Sequence, residues 1–316
     1  LTENTVKGNL YVPVFGAGTC DSEFEVLTGL STKYTGAYPY VIEIKEDIDS
    51  LARKLSNQEY QTIGFHPYDI ANWKRNAVYP LLGFSDVHGE EDMDDPRITR
   101  WVINDEASYN EVVDYFENKS EDNLFVFNVT MQNHGGYEGG WNDLDIIADL
   151  SGQGQFPQAE QYYSLISLSD QALEELVTYF SNVDEPTLIC VFGDHQPKIE
   201  SEYYEYLMGK PVNKLSDEEN LQRYVTPFLI WTNYDIEEDQ IEAISANYLR
   251  TLILSYAGYN LTGVDAFLYN LAQEYPVLTK NGILDQDGVF YEDLNNELLN
   301  QYSMICYYIL RGNLIE

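Results

Sequence analysis

Two rhythms alternate along the chain: short apolar runs and stretches with helical spacing of apolar positions. The run Leu10 to Phe15 meets a Gly16-Ala-Gly-Thr19 turn, after which Asp21, Glu23 and Glu25 interleave with Phe24, Val26 and Leu27. This predicts an extended segment, a tight turn and a helix beginning near Thr19, with acids in the first turn that suit its dipole. Helical spacing recurs over Ile48 to Gln58, Glu111 to Phe116, Ser169 to Phe180 and Ile244 to Tyr256. Strand patterns cover Gln61 to His66, Leu124 to Met131, Thr187 to Phe192 and Thr226 to Thr232.

Strands alternating with helices predict an α/β fold, a three-layer sandwich with a mainly parallel central sheet flanked by helices. Residues 259–316, rich in Tyr, Asn and Leu, are expected to form a smaller C-terminal α+β appendage packing on the same domain, which spans residues 1–258. In such sheets ligands collect beyond the carboxyl ends of strands. His66, His134 and the Asp194-His195 pair all fall just past such ends, whereas His88 sits in the acidic stretch Asp86 to Asp95 and reads as a solvated loop residue.

Composition narrows the function classes. With 316 residues, 44% of them hydrophobic, the chain has enough apolar surface for a substantial core. A formal charge of −36 disfavours nucleic acid and anionic lipid surfaces as partners, since little could neutralise a run of phosphates. A phosphate ester is still accessible if a metal ion and a few cationic side chains gather in one pocket. Cys20, Cys190 and Cys306 are too scattered for a disulfide framework or a zinc-thiolate site. No apolar stretch is long enough to span a membrane, and no leader pattern opens the chain. Starting at Leu1, it reads as a processed product or an excised piece.

The candidate chemistry has bland counterparts. Thr19 is either a helix N-cap or a nucleophile whose hydroxyl a metal activates. Asp194-His195 is either a strand-end turn or a carboxylate–imidazole pair for Mn²⁺, Zn²⁺ or Mg²⁺. Trp73 and Arg75 follow His66 in one loop. There the Arg fork suits a phosphate, and the Trp ring suits a glycerol or sugar face, or merely anchors the loop.

Taken together, these segments resemble the lipoteichoic acid synthase-like phosphoglycerol transferases of the sulfatase and alkaline phosphatase superfamily. Gly16-Ala-Gly-Thr19-Cys-Asp-Ser-Glu23-Phe-Glu-Val-Leu-Thr-Gly-Leu30 is similar to the nucleophile segment. His66-Pro-Tyr-Asp-Ile-Ala-Asn-Trp73-Lys-Arg75, with Tyr79 and Leu82-Gly-Phe84, is similar to the substrate loop. Asn133-His134 resembles the substrate histidine and Phe192-Gly-Asp194-His195 the metal pair, while Thr226 to Trp231 and Tyr302 to Gly312 are like the C-terminal part.

The resemblance implies a phospho-threonine route through Thr19 and one divalent ion, Mn²⁺ first, held by Thr19, Asp194 and His195. It implies substrate binding by His66, Trp73, Arg75 and His134. The partners it implies are a phosphatidylglycerol-like donor head group and a cell-envelope polymer or glycolipid acceptor, at the extracellular face of a bacterial cytoplasmic membrane. Two departures stand out: residues 1–18 hold no Asn-x-Glu-Ser type segment for the family's first metal ligand, and the anchoring helices are absent from this sequence. This leads to the expectation that membrane association uses a segment outside residues 1–316, and that these residues alone bind metal poorly. Cys20 is followed by Asp-Ser-Glu and not by the Cys-x-Pro-x-Arg pattern of arylsulfatases, which disfavours a sulfatase reaction. The alternatives are a phosphodiesterase, a phosphoethanolamine transferase, or a non-catalytic module that recognises envelope polymers.

Overall fold

Residues 3–311 are described in the computed structural model. In chain order the main elements begin with β1 (Thr5–Tyr11), α1 (Thr19–Thr28), β2 (Tyr60–Phe65), α2 (Arg75–Leu81) and β3 (Asp86–His88). There follow α3 (Asp105–Glu117), β4 (Asn123–Asn128), α4 (Pro157–Phe180), β5 (Leu188–Phe192) and β6 (Val225–Thr232). The last part comprises β7 (Asp239–Ser245), α5 (Leu249–Tyr256), α6 (Val264–Glu274), β8 (Val277–Thr279), β9 (Gly282–Leu284), β10 (Phe290–Tyr291) and α7 (Glu297–Arg311). Gly312, the end of the last family-like stretch, lies outside the described residues.

The chain forms two compact units. The first takes residues 1–51, 183–196 and 215–316. Its main sheet has the order β5-β6-β1-β7. Strand β6 is antiparallel to both β5 and β1, whereas β7 is parallel to β1, so three of its four strands share a direction. Strand β5 has a hydrogen-bonded strand on one side only among the described residues, and its five apolar or sulfur-bearing side chains are half-buried. Strands β8, β9 and β10 form a small antiparallel sheet, the extra β region near the C-terminus. Tyr11, Leu221 and Val277 pack together as one core cluster, flanked by Val225, Ala243 and Phe290.

Helix α1 is buried from Cys20 to Thr28, so no polar face betrays its orientation. Gly29, at φ 72°, stops it by donating its N–H to Glu25 O. Arg250, 1% exposed, secures the same end: Nη1 donates to Thr28 O, Nε pairs with Asp265 at 2.8 Å, and Nη2 pairs with Asp49 at 2.8 Å. A buried cation with two carboxylates is costly to disrupt, at about 3 to 5 kcal/mol when one partner is removed.

The second unit takes residues 52–182 and 197–214. Its sheet, in the order β3-β2-β4, is wholly parallel, with Phe65 beside both His88 and Asn128. Ile63 and Phe65 on one face pack with Met93, Ile103 and Ala107. On β2 the residue Gly64 is obligatory, because a Cβ there would meet the Tyr79 ring at 2.3 Å. Each unit is α/β, and the expected mainly parallel sheet with flanking helices is present.

Element boundaries differ from the expectations at four places. Strand β1 occupies Thr5–Tyr11 rather than the run Leu10 to Phe15; polar Lys7 and Asn9 on its exposed side hid it, and the chain turns off after Tyr11. Ile244 belongs to β7, whose acids at Asp239 and Glu242 masked a strand, and the helix starts only at Leu249. Helix α4 begins at Pro157, well before Ser169, because Pro at its first position fits the fixed φ of a helix start. His88 ends β3 instead of lying in a solvated loop, and its ring stacks on Tyr115 at 5.3 Å.

Candidate active site

In the first unit, the carboxyl ends of β1 and β5 flank the start of β6, since Tyr11 pairs with Val225 and Phe192 with Phe228. The loops leaving those two ends are joined: Gly16 N donates to Gln196 O at 3.0 Å. Gly18 then turns the chain at φ 97°, packed so closely on Val14 that a Cβ would sit 3.1 Å from its methyl. Gly18, without a side-chain cap, is the N-cap of α1. Thr19 is therefore the first helical residue, half-buried, and its hydroxyl is not consumed as a cap.

Ser22, one turn along α1 on the same face as Thr19, donates its hydroxyl to Asp194 O at 2.6 Å. This brings the Asp194-His195 turn to the face that carries Thr19. Asp194 Oδ1 accepts from His195 N at 2.9 Å. The His195 ring fixes its own tautomer: Nδ1 lies 2.9 Å from Gln196 O, a carbonyl that can only accept, so Nδ1 carries the proton. Nε2 then faces Asp194 Oδ2 at 3.3 Å. A lone pair and a carboxylate oxygen at that separation could share a metal ion. Bonds of about 2.1 Å from a divalent ion to N and O would span the gap. The donor chemistry thus fits a metal. Among the described residues there is no cluster of three or more His, Cys, Asp or Glu that could hold one.

Two of the three acids on α1, Asp21 and Glu25, are committed elsewhere. Asp21 is fully buried, accepts Tyr38 N at 2.7 Å and pairs with Lys280 at 3.0 Å. Glu25 accepts Thr32 N at 2.7 Å and Thr32 Oγ1 at 2.8 Å on Oε1, while Oε2 is buried without a hydrogen-bond partner. Burial raises its carboxyl to about 7, the hydrogen bonds from Thr32 and the charge of Lys280 opposing the rise.

The second unit holds the other candidates. His66, buried at the end of β2, donates its N–H to His88 O, and its Nδ1 lies 2.7 Å from Val129 O, which leaves Nε2 as the lone-pair nitrogen. Trp73 and Lys74 are consecutive left-handed residues at φ 55° and 60°. Such a conformation costs about 1 to 2 kcal/mol per residue and persists only where the surroundings impose it. It delivers Arg75, 1% exposed, at the start of α2, where Nη1 donates to Asn72 O at 3.3 Å.

His134 follows β4 on an exposed loop. Its ring meets Trp101 edge-to-face at 5.7 Å; Trp101 meets Tyr68 at 6.2 Å, and Tyr68 meets His66 at 6.1 Å. His66 and His134 are thus brought together through two aromatic rings, while Trp73 and Arg75 occupy the following loop. Behind them Ser169 donates to Asp105 at 2.5 Å and accepts from Gln132 and Asn133. Burial pushes Asp105 up to about 6. Arg100 and Trp101 were not singled out in the sequence; the signal available was the scarcity of cations, 17 Lys+Arg against 53 acids, which makes each buried Arg informative.

A threonine at a glycine-turned helix start, on the face that an Asp-His turn is bonded to, is an arrangement compatible with ester transfer or hydrolysis. The chain belongs to the sulfatase family, whose model matches residues 1–259. It is 30% identical over 89% of its length to a Rhizobium meliloti protein named for cyclic β-1,2-glucan modification, and spans 45% of that protein. Its fold is similar to that of the Streptococcus pyogenes phosphoglycerol transferase GacH in complex with sn-glycerol-1-phosphate. That likeness has a TM-score of 0.74 at 18% identity and covers 99% of this chain and 78% of that one. It is also similar to the lipoteichoic acid synthase LtaP from Listeria monocytogenes, with a TM-score of 0.63 at 15% identity, covering 98% and 82% of the two chains. Family and fold are those of transferase- and hydrolase-type enzymes. No helix among the described residues is long and apolar enough to cross a membrane.

Proposed function

We propose that this chain carries the catalytic machinery of a phosphoglycerol transferase that moves glycerol phosphate from a phosphatidylglycerol-like donor to a cell-envelope polymer or glycolipid. The observation that carries the reading is the Ser22–Asp194 hydrogen bond, which sets the Asp194-His195 pair against the face of α1 that bears an uncapped Thr19. Asp194, His195 and Thr19 would hold a divalent ion, Mn²⁺ first, which when bound would supply positive charge to acidify a hydroxyl and offset the charge of a phosphate.

Thr19 Oγ loses its proton and bonds to phosphorus, while the phosphorus–oxygen bond to diacylglycerol breaks and that oxygen takes up a proton. An acceptor hydroxyl then attacks the same phosphorus, the bond to Thr19 Oγ breaks, and Thr19 recovers its proton. Substrate recognition is assigned to the second unit taken by itself, where Arg75 offers a planar fork to phosphate oxygens, Trp73 a face to a glycerol, and His66 and His134 polar contacts. The work is assigned to the extracellular face of a bacterial membrane.

The test is Thr19→Ala in the full-length protein, which deletes a nucleophile without opening the core. We expect turnover of a phosphatidylglycerol analogue to vanish, along with the glycerophosphate adduct that mass spectrometry detects on Thr19 in the unaltered protein. Substantial transfer by the variant would rule out the covalent route.

A further inference from the structure

The loop that carries His134 is held by its backbone to an unusual degree, and one residue does most of the holding. Three consecutive carbonyls are fixed by side chains. Arg100 Nη2 donates to Gln132 O at 2.8 Å and to His134 O at 2.7 Å, and Tyr137 Oη donates to Asn133 O at 2.5 Å. The Arg100 guanidinium lies over the Tyr137 ring at 5.6 Å, which links the two clamps. Arg100 is itself fixed in a costly state. Its φ is 63°, its N–H donates to Asp143 at 2.7 Å, and the residue is only 7% exposed.

Two of its donors, Nε and Nη1, have no hydrogen-bond partner among the described residues. A left-handed arginine that buries a desolvated cation with unused donors stabilises the fold less than an apolar residue of similar volume would. What this arrangement does achieve is the orientation of one imidazole, because Trp101, next in the chain, meets the His134 ring edge-on at 5.7 Å. Backbone and ring of His134 are thus gripped by adjacent residues of a single strained turn, while the side chain stays exposed.

We infer that Arg100 is a positioning residue for His134: it sets the orientation in which this imidazole meets a small phosphate ester, and so tunes the affinity for glycerol phosphate. The inference rests on the functional reading given above for its ligand, though not for the clamp itself. The experiment uses selectively labelled histidines in the full-length protein, the His134 ring signal being identified by its loss in His134→Ala. In Arg100→Gln the His134 signal moves toward the free-imidazole position and broadens. Affinity for sn-glycerol 1-phosphate by calorimetry falls about tenfold, the size expected for losing the charge-assisted bonds that hold the loop.

In a His134→Ala background the same Arg100→Gln change has no further effect on affinity; with His134 present, Arg100→Lys, which can reach one carbonyl, keeps part of the affinity that Arg100→Gln loses. Trp101→Ala keeps every Arg100 hydrogen bond and serves if Arg100→Gln does not fold; it shifts the His134 signal through the ring contact alone. An unmoved His134 signal in these variants overturns the inference, and so does an equal loss of affinity with and without His134. If the signal moves but His134→Ala binds glycerol phosphate as tightly as the unaltered protein, the clamp is established and the glycerol phosphate reading is overturned.

Discussion

Arg75 is a cation enclosed by protein, at the end of two left-handed residues, with a fixed planar head. Lysine at that position keeps the charge and loses the fork, since an ammonium presents its donors at a point. Arg75→Lys is expected to weaken sn-glycerol 1-phosphate binding by about 1 to 3 kcal/mol in calorimetry, with the melting temperature changed much less. Unchanged affinity would remove Arg75 from the substrate contacts. At this scale the sequence was legible where identity and spacing coincide: Thr19 after a glycine turn, and Asp194-His195 after an apolar strand. Arg100 and Trp101 were illegible because Arg100 holds the carbonyls of residues 132 and 134 and Trp101 meets the ring of His134, more than thirty positions away, and nothing local in an Arg-Trp pair announces that.

Helix α1 buries Glu25 with one carboxyl oxygen unpartnered. Its carboxyl sits at about 7, against an ordinary value of 4.5, chiefly because burial disfavours the charge. Lys280 and the Thr32 hydrogen bonds oppose that rise, and Asp21 adds to it. Between those two values the folded chain keeps a proton that the unfolded chain releases. This contribution to stability is therefore fully present below about pH 4.5 and is lost as pH rises toward 7. The loss amounts to about 3 kcal/mol. Glu25→Gln keeps an oxygen for Thr32 and cannot ionise. Urea midpoints from pH 5 to pH 8 should fall more steeply for the unaltered protein than for the variant, and parallel curves would show that Glu25 is ionised throughout. The same helix shows what patterning conveys. Its start was marked by the glycine turn before Thr19, whereas its burial on every side was not, because the acids that suit its dipole are in fact enclosed. Strand β7 was missed for the opposite reason: its acids are truly exposed on the outer positions of a real strand.

Across the molecule, a charge of −36 surrounds a sheet that ends at β5. The α/β class and the carboxyl-end position of the Thr19 and Asp194 loops followed from strand and helix alternation. The split into two discontinuous units did not, because it depends on which distant segments pair: residues 183–196 join the first unit through β6 and through the Gly16–Gln196 and Ser22–Asp194 hydrogen bonds.

The one-sided edge of β5 also governs how copies of the protein behave in bulk solution. A strand of Leu, Ile, Cys, Val and Phe that pairs with a strand on one side only among the described residues is a template for another chain wherever its second edge is open. What keeps copies apart is long-range repulsion, whose reach shrinks to about 8 Å at 0.15 M salt and about 3 Å at 1 M. Dilute salt should therefore hold the protein dispersed, and concentrated salt should favour slow coagulation through this edge. Light scattering followed across a sodium chloride series should rise with salt, and Val191→Lys should suppress the rise. Scattering that is flat in salt, or indifferent to that substitution, would mean that β5 is sheltered and that some other property sets the protein's colloidal limits.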